Sequence, residues 1–367
     1  MGVTETGESP PSGPLERFPD LIRAFYEHRE VPCVSETYLI LDTGGYNTYA
    51  FRSEAQAIEW LASRIGANDW KSRLGGGVLE VLSTVPELLP LVPGIRSQTL
   101  TAAAEDPFDI AVIGDRITLL ELNRRLVCTI AIDDPAKLRR EIERRKRLPD
   151  SINTPPMIDH DTEYPYMVKA YLDGRELVDP ITEWELLLTA LEQLTALYEI
   201  DRRRIETVAA VRSLEEELMA GDELDGTVRT ALELLDELEL PPALHRGLVH
   251  GDLHAGNVFV SDAVYLLDWE DVRTDYLIDD FFRPFVIHQY DASLHRLFAE
   301  MIDGRGGGGR ILADYARRIG PITYGESTPY SGLPLFYLLR LLADVGAHGS
   351  LRPPCRELLR DVVSEYR

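Results

Sequence analysis

Two short segments late in the chain constrain it more than anything else: His250-Gly251-Asp252-Leu253-His254-Ala255-Gly256-Asn257, then Leu266-Leu267-Asp268-Trp269-Glu270. An aspartate, an asparagine five residues on and a second aspartate further along form the interval that phosphoryl transfer from a nucleotide requires. Metal geometry explains it. Magnesium takes hard oxygen ligands in a near-octahedral shell and keeps several waters. The amide oxygen of Asn257 and the carboxylate of Asp268 can hold it against ATP phosphates, while Asp252 stays off the metal to orient an acceptor hydroxyl and take its proton. Val258-Phe259-Val260 and Val264 to Leu267 read as two short strands joined by a Ser-Asp-Ala turn, a hairpin that would carry Asn257 and Asp268 to one end. The plainer reading is a polar turn and a strand-end cap. Three polar residues at these intervals, bracketed by apolar strands, argue for a site.

HGDLHAGN with a following LLDWE resembles the aminoglycoside phosphotransferase and choline kinase family, a branch of the protein-kinase-like fold. The resemblance implies Asp252 as catalytic base, Asn257 and Asp268 as magnesium ligands, and His250, His254 and Asp279 as supporting residues around them. Asp275-Tyr276-Leu277-Ile278-Asp279 is similar to a second family stretch, with Tyr276 where the family has proline. By that likeness Asp279 braces the catalytic loop. The likeness extends loosely over residues 106 to 367 and implies an α+β, two-lobed architecture. A small β-rich amino-terminal lobe and a large helical carboxy-terminal lobe would hold ATP and magnesium between them.

Residues 1–20, rich in Gly, Pro, Ser and Glu, are expected to be disordered. Residues 21–105 read as an extension or accessory domain, with a hairpin around Asp42 to Gly45 and a helix capped by Ser53. The nucleotide-binding lobe is assigned to 106–171. It holds strands Asp109 to Ile113, Arg116 to Leu122 and Leu126 to Ile132, with Gly114-Asp115 turning between the first two. Asp134-Pro135 opens a helix whose face carries Leu138, Glu141, Ile142 and Arg145. By the resemblance, Gly114 sits where the phosphates are covered. Glu141 is the helix glutamate that anchors a phosphate-binding lysine, and adenine would meet backbone groups around Lys169, Ala170 and Tyr171, where a strand enters the hinge.

One departure stands out: Thr129 occupies the position of that lysine. Lys169, Arg124 or Arg125 are the candidate replacements. The alternative is a pseudokinase that binds nucleotide or acts as a scaffold. Residues 172–367 are assigned to the helical lobe with the catalytic loop and acceptor site. Gly306 to Gly309 reads as a linker between helices. Tyr290, Asp291, Tyr324, Tyr330 and Tyr337 are acceptor-lining candidates, though each is as readily a packing residue.

Composition narrows the partners. The formal net charge is −24, and of 38 lysines and arginines only Lys71, Lys137, Lys146 and Lys169 are lysine. A phosphate backbone is an improbable target for such a chain. The acidic, lysine-poor balance points to a halophilic, cytoplasmic protein. Residues 137–147 form a basic helix, read as internally paired, with docking of an anionic partner as the sharper alternative. Cys33, Cys128 and Cys355 suggest no disulfide framework, and no apolar run reaches membrane-spanning length. The expected activity is transfer of the γ-phosphoryl group of ATP to a hydroxyl of a sugar, amino alcohol or aminoglycoside-like metabolite. A protein kinase is disfavoured, because HGD replaces HRD and no activation segment ends in APE.

Overall fold

The computed structural model describes residues 14–42, 47–65, 89, 95–221, 225–286, 294–343 and 352–366. The chain divides into two units. One runs up to Glu143 and includes Pro155–Leu172; the other takes Arg144–Thr154 and Asp173–Arg367. Among the described residues no helix is long and apolar enough to cross a membrane.

The first unit is built on one antiparallel sheet. Its strands are β1 (Cys33–Asp42), β2 (Thr48–Phe51), β3 (Ile95–Ala103), β4 (Ile110–Ile113), β5 (Arg116–Glu121), β6 (Leu126–Ala131), β7 (Met157–Asp161) and β8 (Tyr166–Ala170). They pair in the order β3-β1-β2-β4-β5-β6-β8-β7. The segment 21–105 therefore adds strands to the same sheet, through β2 pairing with β4. Neither β3 nor β7 was apparent in the sequence. In β3 polar Ser97, Gln98 and Thr99 dilute the apolar signal. Pairing with β1 along its length, from Cys33 opposite Ala103 to Leu41 opposite Ile95, defines it instead.

Both sheet faces are covered, because alternate residues of buried strands are apolar on each side. Helix α1 (Pro14–His28) lays Phe18, Ile22, Phe25 and Tyr26, spaced i, i+4, i+7 and i+8, onto one face. They pack there with Ile117, Leu119, Cys128, Ile130 and Val168. Part of the segment expected to be disordered is thus helical, since Phe18 has a core to enter and is fully buried. The end of α1 is tied down further. Arg29 pairs with Asp159 at 2.9 Å, and the ring of His28 stacks on Tyr164. The other face receives α2 (Ala55–Ile65), with Ile58 and Leu61 against Leu39, Phe51, Ile110 and Leu120. It also receives α3 (Pro135–Arg145), with Leu138 and Ile142 against Met167. Asp134 caps α3 by accepting from the Lys137 N–H at 3.0 Å.

The second unit is mainly helical. In chain order it holds β9 (Arg175–Glu176), α4 (Trp184–Tyr198), β10 (Arg203–Glu206), α5 (Thr207–Ala220), α6 (Gly226–Glu237), β11 (Ala243–Val249), β12 (Val258–Val260), β13 (Val264–Leu266) and β14 (Arg273–Tyr276). Then come α7 (Asp279–Val286), α8 (Leu294–Asp303), α9 (Gly306–Arg318), α10 (Gly320–Thr323), α11 (Leu333–Ala343) and α12 (Arg352–Glu365). Its core gathers Leu187, Leu191 and Tyr198 of α4 with Phe281, Phe282 and Phe285 of α7 and the leucines of α11. The Phe281 ring stacks on Tyr315 with centroids 3.8 Å apart.

Gly306 to Gly309 is not a linker but the opening of α9. A Cβ at Gly308 would stand 2.3 Å from the Leu297 carbonyl oxygen, and one at Gly309 2.4 Å from the Gly304 backbone, so glycine lets α9 start flush against α8. Glu300 accepts from the Gly308 N–H at 3.0 Å, and that bond holds its carboxyl below the usual range. Among the tyrosines, Tyr324 and Tyr337 are buried, and Tyr337 stacks on Phe282; Tyr290 and Asp291 lie outside the described residues.

Phe25 is 1% exposed at the centre of the α1 contact. Replacing Phe25 with Ala should lower unfolding free energy by about 3–5 kcal/mol, read as a reduced urea midpoint with an unchanged slope.

Candidate active site

The segment from His250 to Asn257 begins where β11 ends. His250 is fully buried, and its Nε2 lies 2.8 Å from the Leu267 carbonyl oxygen. A carbonyl only accepts, so Nε2 carries the proton and Nδ1 receives the Asp252 N–H at 3.4 Å. The imidazole thus staples the Asp252 turn to the strand end that leads into Asp268. Trp269 packs against it, ring centroids 4.7 Å apart. Gly251 has φ +83°, and a Cβ there would lie 2.2 Å from the Asp271 carbonyl oxygen, so the turn admits only glycine.

Asp252 itself is partly exposed. Its carboxylate receives Arg283 Nη2 at 3.3 Å and Asn257 Nδ2 at 3.4 Å, with His254 Nε2 at 3.7 Å. The His254 Nδ1 accepts the Gly256 N–H at 3.0 Å, which closes the short turn carrying Asn257. Asn257 Nδ2 also donates to the Asp252 carbonyl oxygen at 2.8 Å, which fixes the amide and turns its oxygen the other way. Val258 stands opposite Leu266, and the Leu267 N–H donates to the Asn257 carbonyl at 2.9 Å. This register brings Asn257 and Asp268 to the same end of the β12–β13 hairpin. Asp268 adopts φ +54°, a left-handed conformation that aspartate tolerates better than most side chains.

These donors suit magnesium: one amide oxygen, oriented by its own hydrogen bonds, and a carboxylate, both hard. A carboxylate oxygen of Glu270 lies within 4.8 Å of one from Asp268, and Glu270 is buried. Glu270 was not singled out from sequence. Its place two residues after Asp268 was the available signal.

Residues 111–318 match the phosphotransferase enzyme family. That span is more than half of the chain. The chain belongs to this family. No curated protein matches it. Solved structures with some similarity include macrolide 2'-phosphotransferase MphH from Brachybacterium faecium (15% identity, 66% of this chain and 88% of that one, TM-score 0.42). A thermostable mutant of aminoglycoside phosphotransferase APH(4)-Ia shares 14% identity over 68% of this chain and 90% of that one, with TM-score 0.39. A choline/ethanolamine kinase family protein from Mesorhizobium loti shares 15% over 68% and 88%, with TM-score 0.34.

In this phosphotransferase, the residue that braces the catalytic loop is Asp280, one place beyond the aspartate indicated by the resemblance. Asp280 is fully buried. It accepts the N–H groups of His250 at 2.8 Å and Gly251 at 3.1 Å, and the Tyr198 hydroxyl at 3.1 Å. Asp279 instead pairs with Arg273 at 2.9 Å and approaches Arg283 at 4.0 Å. Burial and the Asp275 carboxylate push the Asp279 carboxyl up, while Arg283 and Arg273 pull it back. The shift to Asp280 follows from α7, which starts at Asp279 and is buried along its whole length, turning the second aspartate toward the loop. Arg273 also donates to the Gly251 carbonyl. The ties of Arg273 to Gly251 and of Arg283 to Asp252 had no signal in the sequence, because they span 22 and 31 residues.

Within the sheet unit, Thr129 is buried, opposite Thr118 and Met167. Gly114 turns tightly into β5, its N–H donating to the Arg116 carbonyl at 3.0 Å. Glu141 is 1% exposed and pairs with Arg116 at 3.3 Å, a cation that the sequence reading did not consider. Lys169 stands opposite Val127 and shares a sheet face with Thr129, not the reverse face. The N–H groups of Ala170 and Tyr171 donate to the carbonyls of Pro156 (2.9 Å) and Arg125 (2.7 Å). Those two donors are therefore committed to the fold. Along the basic helix, Arg139 donates to the carbonyls of Thr162 and Glu163, Arg140 pairs with Asp134, and Arg144 donates to the Trp269 and Glu270 carbonyls.

Asp280→Ala would leave two buried loop N–H groups without an acceptor, at a cost of about 1–3 kcal/mol each. A matching fall in unfolding free energy, with turnover reduced even in the fraction that stays folded, is the expected result by denaturation and assay.

Proposed function

We propose that the chain transfers the γ-phosphoryl group of ATP to a hydroxyl of a small metabolite: a sugar, an amino alcohol or an aminoglycoside-like compound. The observation that carries this reading is the juxtaposition of Asp252, partly open to solvent, with Asn257 and Asp268 at one hairpin end. Asn257 and Asp268 would hold magnesium, with Glu270 beside them. When bound, that ion neutralises phosphate charge and orients the transferring group.

The step itself is simple. The acceptor oxygen forms a bond to the γ-phosphorus, the bond to the β,γ-bridging oxygen breaks, and ADP leaves. The hydroxyl proton passes to Asp252. Arg283 and Asn257 hold that carboxylate in place. In a transfer in which bond breaking leads, the base is needed late. The supporting parts (His250, Asp280, Arg273) contribute rigidity, on which positioning catalysis depends.

A panel of hydroxylated metabolites assayed for ADP release, with magnesium at low and high salt, tests the reading. Asp252→Asn should lose roughly a hundredfold or more of turnover while ATP still binds with near-native affinity by calorimetry. A scaffold or pseudokinase would instead show no turnover in the parent chain and no change on substitution. Cytoplasmic, halophilic behaviour predicts that activity survives high salt.

A further inference from the structure

The missing lysine at position 129 leaves the phosphates of ATP without the cation that strand β6 would supply. We propose that Arg116, from the neighbouring strand, takes its place and contacts the ATP phosphates. This assignment rests on the kinase reading above and names a residue for it.

Register carries the first step. In an antiparallel sheet, directly opposed residues project from the same face. Arg116 stands opposite Ala131, Thr118 opposite Thr129, and Thr129 opposite Met167. Arg116 and Thr129 therefore share one face, two residues apart along the strands. That face is the one on which α3 packs, through Leu138 and Ile142 against Met167. Glu141 sits next to Ile142 on the same helix, and its carboxylate meets Arg116 Nη1 at 3.3 Å.

Burial makes the second. The Glu141 side chain is 1% exposed, and Arg116 retains 26%. The pair thus joins a buried carboxylate to a guanidinium that keeps contact with solvent. A guanidinium's planar fork matches two phosphate oxygens at once. The contact to Asp115, at 3.9 Å, is long and involves a side chain that is 70% exposed. Arg116 also follows directly on the Gly114-Asp115 turn, so its backbone position is set by the tightest hairpin of the sheet unit's central strands.

Position decides against Lys169, Arg125 and Arg124, the replacements named from the sequence. Lys169 opposes Val127, four residues along β6 from Ala131, which places it about 13 Å from the level of Arg116. Arg125 lies in the β5–β6 turn at that far end, where its carbonyl accepts the Tyr171 N–H. Arg124, beside it, pairs with Glu121 at 3.2 Å and with Asp106 at 3.6 Å. None of the three stands at the Glu141 end.

The test uses the full chain with magnesium, and titrates ATP and adenosine separately by calorimetry. Arg116→Met should weaken ATP by roughly tenfold to a hundredfold and leave adenosine unchanged, since only the phosphates lose a partner. Arg116→Lys should recover part of the loss, because it restores charge without the fork. Glu141→Gln should weaken ATP in the same direction by a smaller factor. As a further arm, Thr129→Lys in the Arg116→Met background should regain ATP affinity. If Arg116→Met keeps the parental ratio of ATP to adenosine affinity, the assignment is wrong while the kinase reading stands. If the parent chain binds no ATP, both fall together. Equal losses for ATP and adenosine would mean a merely structural arginine and would also overturn the assignment.

Discussion

A buried carboxylate needs partners, and the structure uses that need to set the geometry of the catalytic segment. Asp280 sits on a helix with no exposed residue, and it collects two consecutive loop N–H groups and a tyrosine hydroxyl. Each of those donors is itself buried and would be costly alone. The arrangement is therefore mutual: the loop cannot shift without orphaning the carboxylate, and the helix cannot turn without orphaning the loop. Asp252 follows this turn directly and inherits its position. Arg273 adds a second tie through the Gly251 carbonyl, and Arg283 reaches from the same helix to the Asp252 carboxylate. The Asp252 carboxylate is thus held by elements far apart in sequence and packed tightly in space.

In the sheet unit the same logic operates through area instead of charge. Strands β1 to β3 extend the sheet past β4, and α1 closes one face with four apolar side chains. Without α1, that face would present Leu119, Cys128, Ile130 and Val168 to water, a contiguous patch larger than a soluble chain tolerates. The early segment completes the core on the sheet face behind Thr129 and Arg116. Arg29 and His28 at the end of α1 then pair with Asp159 and Asp161 of β7, which links that helix to the far edge of the sheet.

Local chemistry was legible and long-range pairing was not. Asp252, Asn257 and Asp268 could be read because their spacing is short and the hairpin between them has alternating apolar residues. Glu141 could be read because a helix repeats every 3.6 residues and Asp134-Pro135 marks its start. Asp280 escaped because two adjacent aspartates look alike in sequence, and only the orientation of α7 decides between them. The Arg116–Glu141 pair escaped because Arg116 lies on a different strand from the expected lysine, and register is a property of the pair of strands. The Gly306 to Gly309 run was misread for a related reason. Four glycines normally mark a break, but here Gly308 meets the Leu297 carbonyl of the facing helix and Gly309 the Gly304 backbone too closely for any Cβ.

The preference for arginine over lysine follows from these roles as well as from the acidic balance of the chain. Arg273 serves the Gly251 carbonyl, Asp275 and Asp279 together. Arg283 serves Asp252 and lies near Asp279 while remaining 7% exposed. An ammonium group is a compact, strongly hydrated point charge on a flexible stem, so burying it beside several acceptors costs more and fixes less. A planar fork distributes its donors in set directions and loses less freedom for each bond it forms. Where one cation must hold a loop carbonyl and two carboxylates in register, the fork is the better part. A phosphate-facing Arg116 would extend to substrate the same device that the fold already uses on itself.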